Sequence, residues 1–450
     1  MPPLRRKLTW IAVLYFAEGF PFGVAYDVWP VYFRVHGVSL AEIGLMALLF
    51  LPYTLKPAWA PLVDRLGSRQ VWVAACQMLL AGVTLLLAVR DPADTTWALW
   101  AVLLGFTFLS ATQDIAIDGY AVDVSTPRHA GAINGMRVAA YRVALVTAGG
   151  LVLILGDHIG WRPTWGIVAG LFVLMAVLTF TSPRAARERP RPTAEAYRHL
   201  GRLRAGTAAA AVLLLAAAWR SGWSAVWLTL AVIAGALLVA SFLDPTLLRW
   251  AARREMALVI AFTLLYKVGD STLGRMVRPF WVDQGASLSE IGVVVNTAGM
   301  ILTVAGALLG GWFTTRRGIF AGLLWFGILQ AISNFGYMSV AVFGLGRPGL
   351  YGASVFESLT QGLGTAAFLA FLTNLCDREH GATQFALLSA VFALSRDVAG
   401  AFSGLGVEAW GYPAYFTFTA LLAVPALLLL PWVRPRIRDA DPEAATPAVA

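Results

Sequence analysis

The sequence predicts an all-α polytopic membrane protein built as two six-helix bundles, and three observations lead there. These are the composition, a series of apolar runs long enough to cross a bilayer, and an internal repeat. Of 450 residues, 58% are hydrophobic and 13% charged, against about a quarter charged in a soluble domain. The mean hydropathy of +0.70 agrees. A net charge of +9 would suit a nucleic-acid partner in a soluble chain. Here Arg and Lys gather in short segments between apolar runs, as in membrane proteins, which argues against nucleic acid.

Apolar runs of about 20 residues mark the spans. The first six are Trp10 to Phe33, Leu40 to Leu62, Val71 to Val89, Trp97 to Val124, Ala130 to Leu155 and Thr164 to Phe180. The second six are Met256 to Val282, Leu288 to Phe313, Ile319 to Phe343, Leu350 to Leu375, Ala382 to Leu405 and Tyr412 to Val433. Domains of 1–183 and 255–434 follow, joined by a basic cytoplasmic linker, 184–254, with a disordered cytoplasmic tail at 435–450. Placing both termini in the cytoplasm puts 22 of the 34 Lys and Arg inside and five outside, at Arg34, Arg90, Arg162, Arg220 and Arg347, so the charge bias fixes this orientation. The linker then crosses an even number of times. A hairpin over Thr207 to Phe242, turning at Arg220-Ser221-Gly222, fits, and so does a first half lying at the interface. The first apolar run is too long for a cleavable signal peptide and lacks a small-residue cleavage site.

The repeat has a period near 250. Ser39-Leu40-Ala41-Glu42-Ile43-Gly44 recurs as Ser287-Leu288-Ser289-Glu290-Ile291-Gly292, and Gly131-Ala132-Ile133-Asn134 answers Gly381-Ala382-Thr383-Gln384. Tyr15 to Gly19 likewise answers Tyr266 to Asp270. Two six-helix halves in the same orientation are the plan of major facilitator transporters, with a cavity between halves. The loop Ala60-x-x-x-Asp64-Arg65-Leu66-Gly67-Ser68-Arg69 resembles that superfamily's motif.

Three further segments narrow the resemblance. Gln113-Asp114-Ile115-Ala116-Ile117-Asp118, Tyr266-Lys267-Val268-Gly269-Asp270 and Ala382-Thr383-Gln384-Phe385-Ala386-Leu387-Leu388-Ser389-Ala390 resemble the AmpG muropeptide permeases. The first is also similar to acetyl-CoA transporters and bacterial siderophore importers. The resemblance implies a secondary transporter, proton-coupled through Asp114 and Asp118, that brings an organic anion such as an anhydromuropeptide across the bacterial inner membrane by alternating access. Transport of acetyl-CoA or a siderophore is the alternative within the branch.

The buried charges can be read without the family. Acidic residues at membrane depth face a cavity, find a cation or carry protons. Ser110, Asp114 and Asp118 recur every four residues and share one face of the fourth span. Counting depth at about 1.5 Å per residue puts Asp118 and Arg137 roughly 9 and 10 Å deep, and Asp114 and Arg142 roughly 15 and 18 Å deep. Two acid–base pairs are therefore expected, either static or separable. Lys267, Asp270, Gly274 and Arg278 share a stripe of the seventh span, with Arg275 beside them. With Glu357, Gln361, Asn296 and Arg396, and with Gln113 and Arg142 from the first half, they are the expected lining of a cavity for an anionic, hydrogen-bonding solute. Alternatively Lys267 and Asp270 form an internal pair at i, i+3. Arg396 and Asp397 point about 100° apart, which argues against their pairing.

Glu18 and Asp27 add buried acids to the first span, where Gly19-Phe20-Pro21-Phe22-Gly23 predicts a kink. Asp64, with Arg65, Arg69 and Asp123, reads as a conformational latch at the cytoplasmic face. His36, His129, His158, His199 and His380 fall at span ends or in loops, so neither a metal cluster nor a membrane-embedded enzyme is expected. Cys76 and Cys376 stand alone in different halves. No GxxxxGK[ST] loop offers ATP drive, and no cofactor is expected. Three lysines against 31 arginines fit a G+C-rich bacterial genome. The remaining expectations are a monomer whose partners are protons, a small anionic solute and the lipid bilayer.

Overall fold

A computed structural model describes residues 4–56, 59–65, 68–124, 130–182, 254–375 and 381–437. The expected hairpin over 207–242, nearly all of the linker and the tail from 438 lie outside these residues. Among the described residues there is no β-strand, and ten helices are long and apolar enough to cross a membrane. In chain order the first six helices are α1 (Arg5–Val35), α2 (Leu40–Leu55), α3 (Arg69–Val89), α4 (Trp97–Val124), α5 (Ala132–Ile159) and α6 (Trp161–Phe180). The rest are α7 (Met256–Asp283), α8 (Leu288–Arg317), α9 (Ile319–Phe343), α10 (Gly346–Leu375), α11 (Gly381–Leu421) and α12 (Ala423–Val433).

Two differences from the sequence reading have physical causes. The second span, expected to run unbroken to Leu62, tightens to a 3₁₀ turn at Met46–Phe50 before Pro52 and stops at Leu55. A proline cannot donate to the preceding turn, so the helix cannot continue undisturbed. The expected eleventh and twelfth spans merge into a run that turns at Gly411, whose φ of 71° suits glycine.

The chain divides into two compact units, Met1–Val38 with Leu48–Leu248, and Ser39–Ala47 with Arg249–Ala450. In the first, α1 packs on α5 through Gly19 and Gly23. A Cβ at Gly19 would sit 2.9 Å from the Tyr141 carbonyl, and one at Gly23 would sit 2.7 Å from Ala148 Cβ. Small residues four apart let two backbones approach closely, which drives helix association where lipid removes the hydrophobic effect. Pro21 leaves the Ala17 carbonyl, four residues earlier, without its helical donor. Gln113 of α4 supplies the missing donor, Nε2 to Ala17 O at 2.7 Å. One turn past Pro21 the helix widens to a π-helical turn at Val24–Val28, which holds the buried Asp27. Ile11, Leu14, Ala116, Ile117 and Ile133 form an apolar core that fixes the facing surfaces of α1, α4 and α5.

The second unit repeats these devices. Gly306 and Gly310 of α8 meet the backbone of α10 at Leu359 and Leu363. The segment Ser39–Ala47 packs on α11, Gly44 facing Gly404, and the Ala41 N–H donates to Glu408 Oε1 at 2.9 Å. The repeated Ser-Leu-x-Glu motif is a helix start in both copies. Ser39 Oγ accepts from the Glu42 N–H at 3.2 Å, and Ser287 Oγ accepts from the Glu290 N–H at 3.1 Å. Glu290 returns the bond to the Ser287 N–H at 2.8 Å, closing a capping box. Such caps contribute about 1 kcal/mol each.

Candidate functional site

In the first unit each rung of the polar stripe of α4 meets a partner from another helix, although Asp114 Oδ1 is left buried without one. Tyr53 donates to Ser110 Oγ at 2.7 Å. Lys56 Nζ lies 2.8 Å from Asp114 Oδ2. Arg137 Nη2 and the Tyr15 hydroxyl both reach Asp118 Oδ1 at 2.7 Å. The Arg137 guanidinium lies over the Tyr15 ring, 4.6 Å from its centroid. The two acids sit in different surroundings, since the Asp114 side chain is 6% exposed and that of Asp118 44%.

The Asp118–Arg137 pair stands where matched depth placed it, but Asp114 takes Lys56 rather than Arg142. Arg137 and Arg142 are five residues apart, hence about 140° apart around α5, while Asp114 and Asp118 are only about 40° apart. Both arginines therefore cannot face both aspartates, and Arg142 lies exposed on α5. The sequence reading did not single out Lys56. Its signal was available, as one of three lysines in the chain and the only one in the apolar run Leu40 to Leu62.

Glu18 completes this cluster, 8% exposed on α1. Its charged neighbours are Asp114, Asp118, Lys56 and Arg137. Gln113, expected in the cavity lining, is fully buried and ties α4 to the Ala17 carbonyl. Toward the end of α4, Arg69 Nε lies 3.0 Å from Asp123 Oδ2, joining two of the residues read as a latch. The Arg69 guanidinium packs on Gly119, where any side chain would collide with it. The Asp64 and Arg65 side chains lie outside the described residues.

In the second unit α7 breaks helical geometry at Lys267 (φ −107°, ψ 0°). Lys267 Nζ lies 3.1 Å from Asp270 Oδ2, both groups buried. Arg278 donates from Nε and Nη2 to Asn296 Oδ1 at 3.1 and 2.9 Å. Asn296 is presented by a π-helical stretch of α8, Ile291–Ala298. Glu357 of α10 is buried, with Asp270, Arg278 and Lys267 as its charged neighbours. Gln361 is half-buried one turn on, its carbonyl bonded by Thr365 at 2.7 Å. Asp397 lies 3.5 Å from Arg275 Nη2 and 3.2 Å from Arg396 Nε. Adjacency therefore does not prevent the Arg396–Asp397 pair, because the long arginine side chain curls back to its neighbour. The cationic stripe is thus largely compensated, Lys267 by Asp270 and Arg275 by Asp397.

The family described as Major Facilitator Superfamily matches residues 11–269. The anhydromuropeptide permease of Escherichia coli (strain K12) is 30% identical, over 93% of this chain and 78% of that protein. A Rickettsia conorii protein named as transporter AmpG 4 is 26% identical, over 96% of this chain and 97% of its own length. Among solved structures, a POT peptide transporter in complex with sulfate superposes with a TM-score of 0.71 at 16% identity, covering 95% of this chain and 94% of that one. A bacterial homologue of the lysosomal transporter Spinster gives 0.63 at 16%, covering 97% of each. At these identities the structural matches speak for the fold.

Proposed function

The chain belongs to the major facilitator superfamily, and on that premise we propose that it is a proton-coupled secondary transporter that moves an organic anion of the anhydromuropeptide kind inward across the bacterial inner membrane by alternating access. What supports proton coupling most is Asp114, buried midway along a 28-residue apolar helix and held by a lysine from another helix. A buried ion pair contributes little net stability compared with apolar packing. A carboxylate whose counter-ion sits on a separate element can, however, exchange that counter-ion for a proton when the two move apart. Asp118, shared between Arg137 and Tyr15, is arranged for the same exchange closer to water.

The cargo class is supported by the relative in Escherichia coli, named an anhydromuropeptide permease. Within the second unit, Lys267, Asp270, Arg275, Arg278, Asn296, Glu357, Gln361 and Arg396 are the polar residues that bind the solute. Lys267 meets an anionic group by releasing Asp270. Asp64, Arg65, Arg69 and Asp123 latch the cytoplasmic face, both termini lie in the cytoplasm, and the transporter works as a monomer. In proteoliposomes, labelled anhydromuropeptide is expected to accumulate under an inward proton gradient while acetyl-CoA and a ferric siderophore are not. Asp114→Asn is expected to abolish accumulation with the protein still folded. Full accumulation by that variant, or preference for either other solute, contradicts the proposal.

A further inference from the structure

The acids and bases clustered around Glu18 do not balance. Glu18, Asp114 and Asp118 are three carboxyl groups, and the bases among them are two, Lys56 and Arg137. Both bases are committed, Lys56 to Asp114 at 2.8 Å and Arg137 to Asp118 at 2.7 Å. Glu18 is the acid left over. It is 8% exposed, and its Oε2 is buried with no hydrogen-bond partner. An ionised carboxylate in that position is strongly disfavoured, whereas the neutral acid is tolerated. The titratable groups around it are Tyr15 from α1 itself, Tyr53 and Lys56 from α2 and its end, Asp114 and Asp118 from α4, and Arg137 and, beside Tyr53, Tyr141 from α5; α6, which meets α1 through Phe172 and Phe20, adds no charge there. The only cations in that set are the two already paired.

Resting on the proton-coupled reading above, we propose that Glu18 is the residue that carries the transported proton in this state, with Asp114 and Asp118 held ionised by their bases. A metal ion fits the site less well, since no three His, Cys, Asp or Glu side chains among the described residues are grouped to hold one and a hard cation takes about six oxygen ligands. A proton needs one oxygen. The O–H bond forms at Glu18 with a proton from the outer aqueous phase and breaks as that proton moves toward the inner one. Lys56 is the trigger: if it leaves Asp114 for Glu18, the carboxylate of Glu18 gains a counter-ion and its proton passes to Asp114, which releases it to the inner phase when Lys56 returns.

The test compares wild type, Glu18→Gln and Glu18→Asp in proteoliposomes with labelled anhydromuropeptide. Glutamine imitates the protonated acid permanently. In wild type, one coupled proton supports about a tenfold accumulation per unit of pH gradient. Glu18→Gln is expected to equilibrate the solute without accumulating it and to exchange it at a rate no longer dependent on pH. Glu18→Asp is expected to keep the coupling. Accumulation by Glu18→Gln as steep as in wild type overturns the proposal. Loss of exchange as well as accumulation in both variants assigns Glu18 a structural role and overturns it too. A wild-type protein whose accumulation ignores the gradient defeats the proton-coupled reading itself, so the two failures are distinguishable.

Discussion

Asp114 and Asp118 are one turn apart and chemically unalike. Asp114 is buried against Lys56, whose side chain is 26% exposed, while Asp118 and Arg137 are 44% and 33% exposed. Removing one partner of a buried pair strands the other, at about 3 to 5 kcal/mol. Lys56→Met is therefore expected to lower the melting temperature sharply, and the double substitution Lys56→Met with Asp114→Leu to recover most of the loss without restoring coupling. Arg137→Gln removes a solvent-screened pair and is expected to lower stability by about 1 kcal/mol or less. Equal losses for Lys56→Met and Arg137→Gln in thermal unfolding of the purified protein would contradict the different burial of the two pairs. The Asp118–Arg137 pair was legible in the sequence because depth along antiparallel helices is a matter of counting. The partner of Asp114 was not, since it comes from a segment broken by prolines, where counting gives neither depth nor direction.

At the scale of elements, α1 and α4 are joined by a bond that exists because of a proline. Pro21 frees the Ala17 carbonyl and Gln113 satisfies it. Gln113→Leu is expected to cost about 1 to 3 kcal/mol, the desolvation penalty of an unpaired buried carbonyl. In a Pro21→Ala background the helical N–H returns and the same substitution should cost little. A double-mutant cycle by thermal unfolding measures the coupling, and additive losses would show that the two residues act independently. A break in the helical hydrogen-bond ladder was legible from Pro21. The π-helical turns at Val24–Val28 and Ile291–Ala298 were not, because apolar periodicity does not distinguish a local widening from regular helix.

Among the described residues, both units hold a lysine–aspartate pair, Lys56–Asp114 and Lys267–Asp270, and these use two of the chain's three lysines. Lysine is a compact charge on a flexible stem that gives up a partner more readily than a bidentate arginine, which suits a pair meant to open. Lys267→Ala is expected to weaken binding of an anionic muropeptide far more than that of a matched uncharged analogue, and titration of both ligands against wild type and variant tests this. Equal losses would make the pair with Asp270 purely structural. The all-helical, membrane-spanning plan was legible because a bilayer imposes length and apolarity on every crossing. The pairing of charges was less so, since it depends on how helices distant in sequence rotate toward one another. Coupling of proton entry to solute entry is the claim on which the rest depends, and a pH dye trapped inside proteoliposomes reads it directly. With no gradient imposed, adding external anhydromuropeptide should acidify the interior of wild-type vesicles and leave Asp114→Asn vesicles unchanged, whereas solute entry without any change in internal pH would contradict proton coupling.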